Sequence, residues 1–316
     1  MQDEQRSDPA PGRRRHLGPG GPTVGPIAYG CWRFAGTDVA AARDKVETAL
    51  ECGMDLVDTA DIYGAGSNGS RRSLPDGFGD SEALLGRVLA DAPGLRDRIV
   101  LATKGGIRPT VPYDQSDDHL TAACEASLRR LGVDHVDLYQ VHRPDLLTHP
   151  ADLAATLTRL VERGLVAHVG VSNFTVAQTD AVAAHLDLPL ASTQPELSAL
   201  HVDPIVDGTL DRCMREDVLP LAWSPLARGA LGSRPDGGDP RALAVHEVLG
   251  RLAEREDVSV TAVALAWLLH HPAGVVPIVG TQRTERIREA AAATAVRLDR
   301  ADWYEVLVAS RGEPLP

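Results

Sequence analysis

The sequence predicts a (β/α)8 barrel: a single α/β domain with an N-terminal β-hairpin and a C-terminal helical extension. Short runs rich in β-branched and aromatic residues alternate with amphipathic stretches almost from end to end, the pattern of parallel strands joined by helical crossovers. Eight such runs occur in 316 residues, and about 250 residues is the usual size of such a barrel. No G-x-G-x-x-G follows an early strand, which disfavours an open doubly wound sheet.

Taken in order, residues 1–15, "MQDEQRSDPAPGRRR", are polar, carry Pro and Gly, and have no apolar stretch behind the arginines. They read as a flexible tail rather than a signal peptide, with residues 16–316 as the barrel domain. The stretch "RRRHLGPGGPTVGP", residues 13–26, has the Gly/Pro punctuation of a hairpin placed to plug the lower end of the barrel. The strand candidates follow as "IAYGCW", "MDLVDT", "RIVLATK", "VDLYQVH", "AHVGVSN", "LASTQPE", "LPLAWSP" and "VVPIVG". Between them, Leu120, Cys124, Leu128 and Leu131 form a helical stripe, opened by Ser116 with Asp117 and Asp118 in the first turn and closed by Gly132. Leu153, Leu157, Leu160 and Val161 form another, ending at Gly164, and a last amphipathic helix is predicted around "RADWYEVLVAS". No unit repeats another in sequence, so the repetition is structural only.

Composition narrows the function classes. Hydrophobic residues make up 43% and charged residues 24%, and no apolar run approaches the ~20 residues a membrane span needs. A net charge of -12 opposes nucleic-acid binding, which uses a basic stripe to hold phosphates. Cys31, Cys52, Cys124 and Cys213 are widely spaced with no C-x-x-C, so neither a disulfide framework nor a zinc site is expected. His270 and His271 lack an H-E-x-x-H frame and read as a helix-end pair, so no metal is expected. A cytoplasmic protein acting on a small molecule is the expectation.

In a barrel of this kind the active site forms where the strands end. Polar residues gather there: Asp58 and Tyr63 after the second strand, Lys104 on the third, His142 on the fourth, Ser172 and Asn173 on the fifth, Gln194 on the sixth, Trp223 and Ser224 on the seventh, Gly280 and Thr281 on the eighth. Singly, each has a structural explanation. Asp58 and Lys104 would serve as an ion pair closing the mouth, Tyr63 and Trp223 as rim packing, His142 as a hydrogen-bonded core histidine, and Asn173 and Gln194 as partners for strand-end backbone. Together, an acid, a phenol, an ammonium and an imidazole on three neighbouring strand ends point to chemistry. Only two lysines occur, Lys45 and Lys104, in a chain that otherwise uses arginine, and lysine is the cation that acts as a compact point charge or gives up a proton. The chemistry they suit is proton transfer to a carbonyl oxygen: Tyr63 donates, Lys104 lowers the phenol's pKa, Asp58 anchors Lys104, and His142 orients the carbonyl.

The blocks "DTADIYG", "TKGG" and "VHRPD", followed by "GVSNF", "TQPE", "AWSPLARGAL" and "VGTQRTERIREA", resemble the aldo-keto reductase superfamily from about residue 17 to residue 310. The resemblance implies an oxidoreductase with Asp58, Tyr63, Lys104 and His142 as its catalytic tetrad. It implies a nicotinamide cofactor lying extended across the barrel mouth, NADPH rather than NADH. Gly30, Cys31 and Trp32 would line it beside Asp58, and Ser172, Asn173 and Gln194 would hold its carboxamide. Trp223 would stack on the nicotinamide ring, and Ser224, Pro225, Leu226, Arg228 and Gly229 would wrap the pyrophosphate. Gly280, Thr281 and Gln282 would continue the site toward Arg283 and Arg286, which would meet the 2'-phosphate at a helix N-terminus, with Glu289 near the adenine. Ala290 stands where many members have an adenine-contacting asparagine. Trp32 would also wall the substrate pocket, with Tyr63 and His142. A long Gly/Ser/Pro-bearing stretch, residues 65 to 80, would overhang the site. The implied function is NADPH-dependent reduction of aldehydes or ketones to alcohols. Two alternatives are a cofactor-binding sensing subunit with little turnover, and a Schiff-base lyase using Lys104 as nucleophile.

Overall fold

A strand side chain alternates between two faces, and in a closed barrel one face is the interior and the other meets the helices. The computed structural model describes residues 10–64, 77–109, 111–232 and 239–316. A two-stranded antiparallel hairpin, β1 (Arg15–His16) and β2 (Thr23–Val24), precedes the barrel. The barrel strands are β3 (Ala28–Gly30), β4 (Leu56–Asp58), β5 (Val100–Gly105), β6 (Val136–Val141), β7 (Val166–Ser172), β8 (Ser192–Gln194), β9 (Leu219–Ala222) and β10 (Val276–Val279). They run parallel in sequence order, and β10 closes on β3 with Ile278 opposite Ala28. All eight predicted runs supply a strand, most of them shorter than the run. "LASTQPE" contributes only Ser192–Gln194, since Pro195 has no N–H to carry the ladder further.

The alternation sorts the residues cleanly. Ala28, Leu56, Ala102, Leu138, Leu219, Leu221, Val276 and Ile278 fill the interior. Tyr29, Val57, Leu101, Tyr139, Val141, Val169 and Val171 pack outward beneath the helices. Two residues beyond the interior set, on the same faces, stand Gly30, Asp58, Lys104, Gln140, Trp223 and Gly280. Apolar filling below and a polar layer above are thus one inward-facing register. Among the described residues no helix is long and apolar enough to cross a membrane.

The hairpin plugs the lower end as expected, since Leu17 and Val24 are fully buried in the same cluster as the interior residues. It lies close against the rim. A Cβ at Gly18, where φ is +67°, would stand 2.4 Å from Ala191 Cα. Arg14 forms an ion pair with Asp55, just before β4.

Helix ends follow local chemistry. The predicted helix after β5 spans Asp117–Leu131 and ends at Gly132 with φ 67°, the left-handed stop that glycine adopts without strain. Ser116 sits at its N-cap, but its hydroxyl donates to Asp114 Oδ1 instead of accepting from the helix. The helix Val260–Leu269 is buried from Ala262 to Leu269. The C-terminal helix Arg300–Arg311 covers it: Trp267 and Trp303 stack at 5.2 Å, and each indole N–H donates to the other's carbonyl at 3.0 Å.

Candidate active site

Lys104 is the centre of the polar layer. Its ammonium has three N–H donors, and three acceptors meet them: Asp58 Oδ2 at 2.6 Å, the Thr59 carbonyl at 2.8 Å and the Tyr63 hydroxyl at 3.2 Å. Lys104 and Asp58 are both buried, and the ammonium also lies 4.9 Å from the Tyr63 ring centre. The His142 ring meets the Tyr63 ring edge-on, with centroids 5.8 Å apart. The four expected catalytic side chains therefore form one cluster, with Tyr63 half-buried toward the mouth.

The turn carrying Tyr63 is fixed from three sides. The Asp61 N–H donates to the Lys104 carbonyl at 3.1 Å, the Tyr63 N–H to the Ala60 carbonyl at 3.1 Å, and the Ser81 N–H to the Tyr63 carbonyl at 3.2 Å. Gly64 and Gly77 come together with φ of 100° and 103°, and a Cβ on Gly77 would stand 2.3 Å from the Gly64 oxygen. Only glycine fits that crossing. Of the overhanging stretch 65 to 80, residues 65–76 lie outside the described residues.

Behind the turn lies a buried network that sequence reading did not pick out. Thr103 Oγ1 donates to Glu82 Oε1 at 2.5 Å, and Arg130 holds Glu82 Oε2 at 2.7 Å. Burial, and then the nearby Glu82 charge, push the Asp61 carboxyl well above the usual carboxylate range.

The charges differ in one respect from the sequence expectation. Lys104 does pull the Tyr63 phenol down, but burial pushes it up by more, and Asp58 adds to the rise, so the net shift is upward. The lowering by Lys104 is present as expected, but for the protein alone taking a phenolate out of water outweighs that one cation. Burial works against the Lys104 ammonium, but the Asp58 and Tyr63 charges and its hydrogen bonds to both hold it above its ordinary value. Burial, with the Lys104 and Arg143 charges, pushes His142 well below its ordinary value. It is a neutral imidazole near pH 7, suited to offering one N–H to a carbonyl oxygen.

The expected cofactor residues line the same mouth. Ser172, Asn173 and Gln194 adjoin one another: Ser172 Oγ donates to the Gln194 carbonyl at 2.9 Å, and Asn173 Nδ2 donates to Ser172 Oγ at 2.9 Å and to the His142 carbonyl at 3.0 Å. Asn173 Oδ1 accepts from the Trp223 indole N–H at 2.9 Å, which fixes the plane of that ring. Gln194 Nε2 turns to Asp58 Oδ1 at 3.1 Å. Gly30 sits where a Cβ would meet Ile278 at 2.7 Å. Cys31 is buried, with its N–H on the Asp58 carbonyl at 2.8 Å, and burial pushes its thiol far up. Trp32 is 58% exposed, with the Arg33 guanidinium 5.0 Å over its ring.

The loop Ser224–Pro225–Leu226–Ala227–Arg228–Gly229 has an unusual backbone. Ser224, Ala227 and Arg228 have φ of 55°, 48° and 58°, followed by Gly229 at 102°. Its N–H groups close the loop on itself: Ala227 donates to the Ser224 carbonyl at 2.8 Å, Arg228 to Ser224 Oγ at 2.9 Å and Gly229 to the Leu226 carbonyl at 2.9 Å. Left-handed non-glycine residues carry backbone strain, and strain of this kind collects at binding sites. Arg228 Nε reaches toward Glu196 at 3.9 Å. Beyond β10, Tyr29 donates to the Thr281 carbonyl at 3.4 Å, and Gln282 Nε2 lies 3.4 Å from the Gly280 and Thr281 carbonyls. Arg283 caps the helix Thr284–Ala291; both it and Arg286 are exposed at its start, while Glu289 is half-buried. Ala290 is buried beside Ile287 on the core face of that helix.

All four cysteines are free, and among the described residues no three His, Cys, Asp or Glu side chains gather as a metal site would.

This arrangement defines a (β/α)8 oxidoreductase. The chain belongs to the aldo/keto reductase family, which it matches over residues 26–308. It is 50% identical to a 6-dehydroglucose reductase of Novosphingobium aromaticivorans, over 98% of this chain and 99% of that protein. It is 39% identical to a protein of the same name in Agrobacterium fabrum, over 91% of this chain and 94% of the relative. Among solved structures it is similar to the glycerol dehydrogenase AKR11B4 from Gluconobacter oxydans, with a TM-score of 0.81 at 25% identity over 97% of this chain and 98% of that one. Members of the family use nicotinamide cofactors.

Proposed function

We propose that the protein is an NADPH-dependent reductase that converts an aldehyde to an alcohol with Tyr63 as the general acid. The observation that carries this reading is Lys104 Nζ, set between Asp58 Oδ2 at 2.6 Å and Tyr63 OH at 3.2 Å. A cation held on a phenol oxygen favours release of its proton, and here it is pinned so that the charge cannot swing away. Tyr63 would pass its proton to the carbonyl oxygen, and the neutral His142 would hold that oxygen in line. When bound, the nicotinamide supplies the hydride to the carbonyl carbon. The indole of Trp223, held by Asn173, would keep the ring flat, and the left-handed loop Ser224–Gly229 would take the pyrophosphate. Exposed Arg283 and Arg286 support NADPH over NADH, because a 2'-phosphate suits two guanidinium groups at a helix start.

The substrate we favour is 6-dehydroglucose, the C6 aldehyde of glucose, after the two similar reductases of that name. An exposed indole with a guanidinium over it, Trp32 and Arg33, supports a substrate with both a flat carbon face and hydroxyl groups. Absorbance of reduced cofactor is followed with NADPH or NADH against 6-dehydroglucose and a panel of aromatic and dicarbonyl aldehydes. Faster oxidation of NADPH with the sugar aldehyde is expected. Tyr63→Phe should lower kcat by roughly 10² to 10⁴ and leave NADPH affinity within a few-fold; retained turnover removes Tyr63 as the acid.

A further inference from the structure

Asp58 uses only one carboxylate oxygen for Lys104. Its other oxygen, Oδ1, accepts from Gln194 Nε2 at 3.1 Å and from Gln140 Nε2 at 3.4 Å. Gln140 is fully buried, and its own carbonyl oxygen is spoken for: Ser192 Oγ donates to it at 3.1 Å, and Gln194 Nε2 lies at 3.5 Å. That fixes which end of the amide faces Asp58, because an oxygen turned toward the carboxylate would repel it and strand the Ser192 hydroxyl. The backbone has made room for this arrangement. Lys104, Gln140, Gly170 and Ser192 stand in one register row across four adjacent strands. At Gly170 a Cβ would lie 2.2 Å from Ser192 Oγ and 3.3 Å from Gln140 Cγ, so the space a side chain would take is filled by the two groups that make the contact.

We propose that Gln140, held by Ser192, is a positioning residue: with Gln194 it fills the second oxygen of Asp58 so that Lys104 stays aimed at the Tyr63 hydroxyl. The inference rests on the reading of Tyr63 as the acid. In a buried site, a carboxylate that loses one of the two donors on its second oxygen draws more on its one strong partner. With Gln140 on Oδ1, Asp58 anchors Lys104 without absorbing its whole field, and the remainder reaches the phenol. Without Gln140 the ammonium is drawn toward Asp58 and the phenolate loses support.

The test is a tyrosinate absorbance titration of the full chain, taken as the difference between protein with Tyr63 and protein with Tyr63→Phe in the same background, so that the other tyrosines cancel. It is run with Gln140 and with Gln140→Met, which keeps the length of the side chain and removes its donors. The Tyr63 midpoint should rise by about half a pH unit or more in Gln140→Met, the size expected for one lost hydrogen bond to a charged group shared along the chain. Turnover with NADPH should fall by about threefold or more in kcat, the factor that half a pH unit corresponds to, with KM for the aldehyde and NADPH affinity unchanged. Ser192→Ala should shift the midpoint the same way by less, and Gln140→Met with Ser192→Ala should shift it no further than Gln140→Met alone, since Ser192 acts through Gln140. An unchanged midpoint and kcat in a folded Gln140→Met protein, while Tyr63→Phe is inactive, overturns the inference alone. Turnover retained in Tyr63→Phe overturns the acid reading, and this inference with it.

Discussion

At the scale of single residues, Lys104 and Asp58 depend on each other more than on the fold around them. Removing one member of a buried ion pair strands the other, at a cost of about 3–5 kcal/mol, whereas replacing both can be nearly neutral. Lys104→Met should therefore lose activity and lower the urea midpoint together. Asp58→Asn combined with Lys104→Met should regain most of the stability while remaining inactive, and equal stability of the single and double variants would refute the dependence. Asp58, Lys104 and His142 were legible because they stand at strand ends, and Tyr63 because its turn follows one directly. Gln140 carries a weaker signal: counting by two from Leu138 in "VDLYQVH" puts Gln140 and His142 on one inward face. Glu82, Thr103 and Arg130 left no such trace, since their meeting joins positions far apart in sequence. The direction of the Tyr63 shift could not be read either, because it depends on how much water the fold excludes.

At the scale of elements, the C-terminal helix is attached by electrostatics as well as by packing. Arg255 grips Asp302 at 2.8 and 2.7 Å, and Asp302 also completes a capping box with Asp299 at the start of that helix. The Arg255 hydrogen bonds hold the Asp302 carboxyl below the ordinary aspartate value. A carboxyl with a depressed pKa stabilises the folded state above its unfolded-state value, and that stability is lost as pH falls through its folded-state value. Asp302→Asn should therefore cost about 1.5–3 kcal/mol near neutrality, and its urea midpoint should converge on that of the parent protein below about pH 3.9. A constant gap from neutral to acid would exclude Asp302 as the titrating group. Periodicity was enough to predict this helix around "RADWYEVLVAS", whereas its partners come from positions 36 to 47 residues away in sequence. Strand cores were similarly legible and their ends were not, since ends depend on where neighbouring strands stop.

At the scale of the whole molecule, the barrel separates its two ends. The lower end is closed by Leu17 and Val24 of the hairpin, and the polar layer stands at the upper end. In a (β/α)8 barrel the lower face serves stability and the upper face serves chemistry. Leu17→Ala should lower stability by about 2–5 kcal/mol through the cavity it leaves, with kcat and KM close to those of the parent protein. A comparable loss of kcat would show that the plug acts on the mouth. The fold class and the plug were both readable from alternation and punctuation, because each is a consequence of burying apolar faces around a closed sheet.

The stacked indoles of Trp267 and Trp303, 5.2 Å apart and within 16° of parallel, also have an optical consequence. Indole fluorescence depends on what the ring packs against, so the emission of this pair changes if the last helix leaves its seat. The remaining two of the four tryptophans, Trp32 and Trp223, stand at the mouth. The chain thus carries two spectroscopic reporters in separate places, one for the seating of its last helix and one for what enters the barrel.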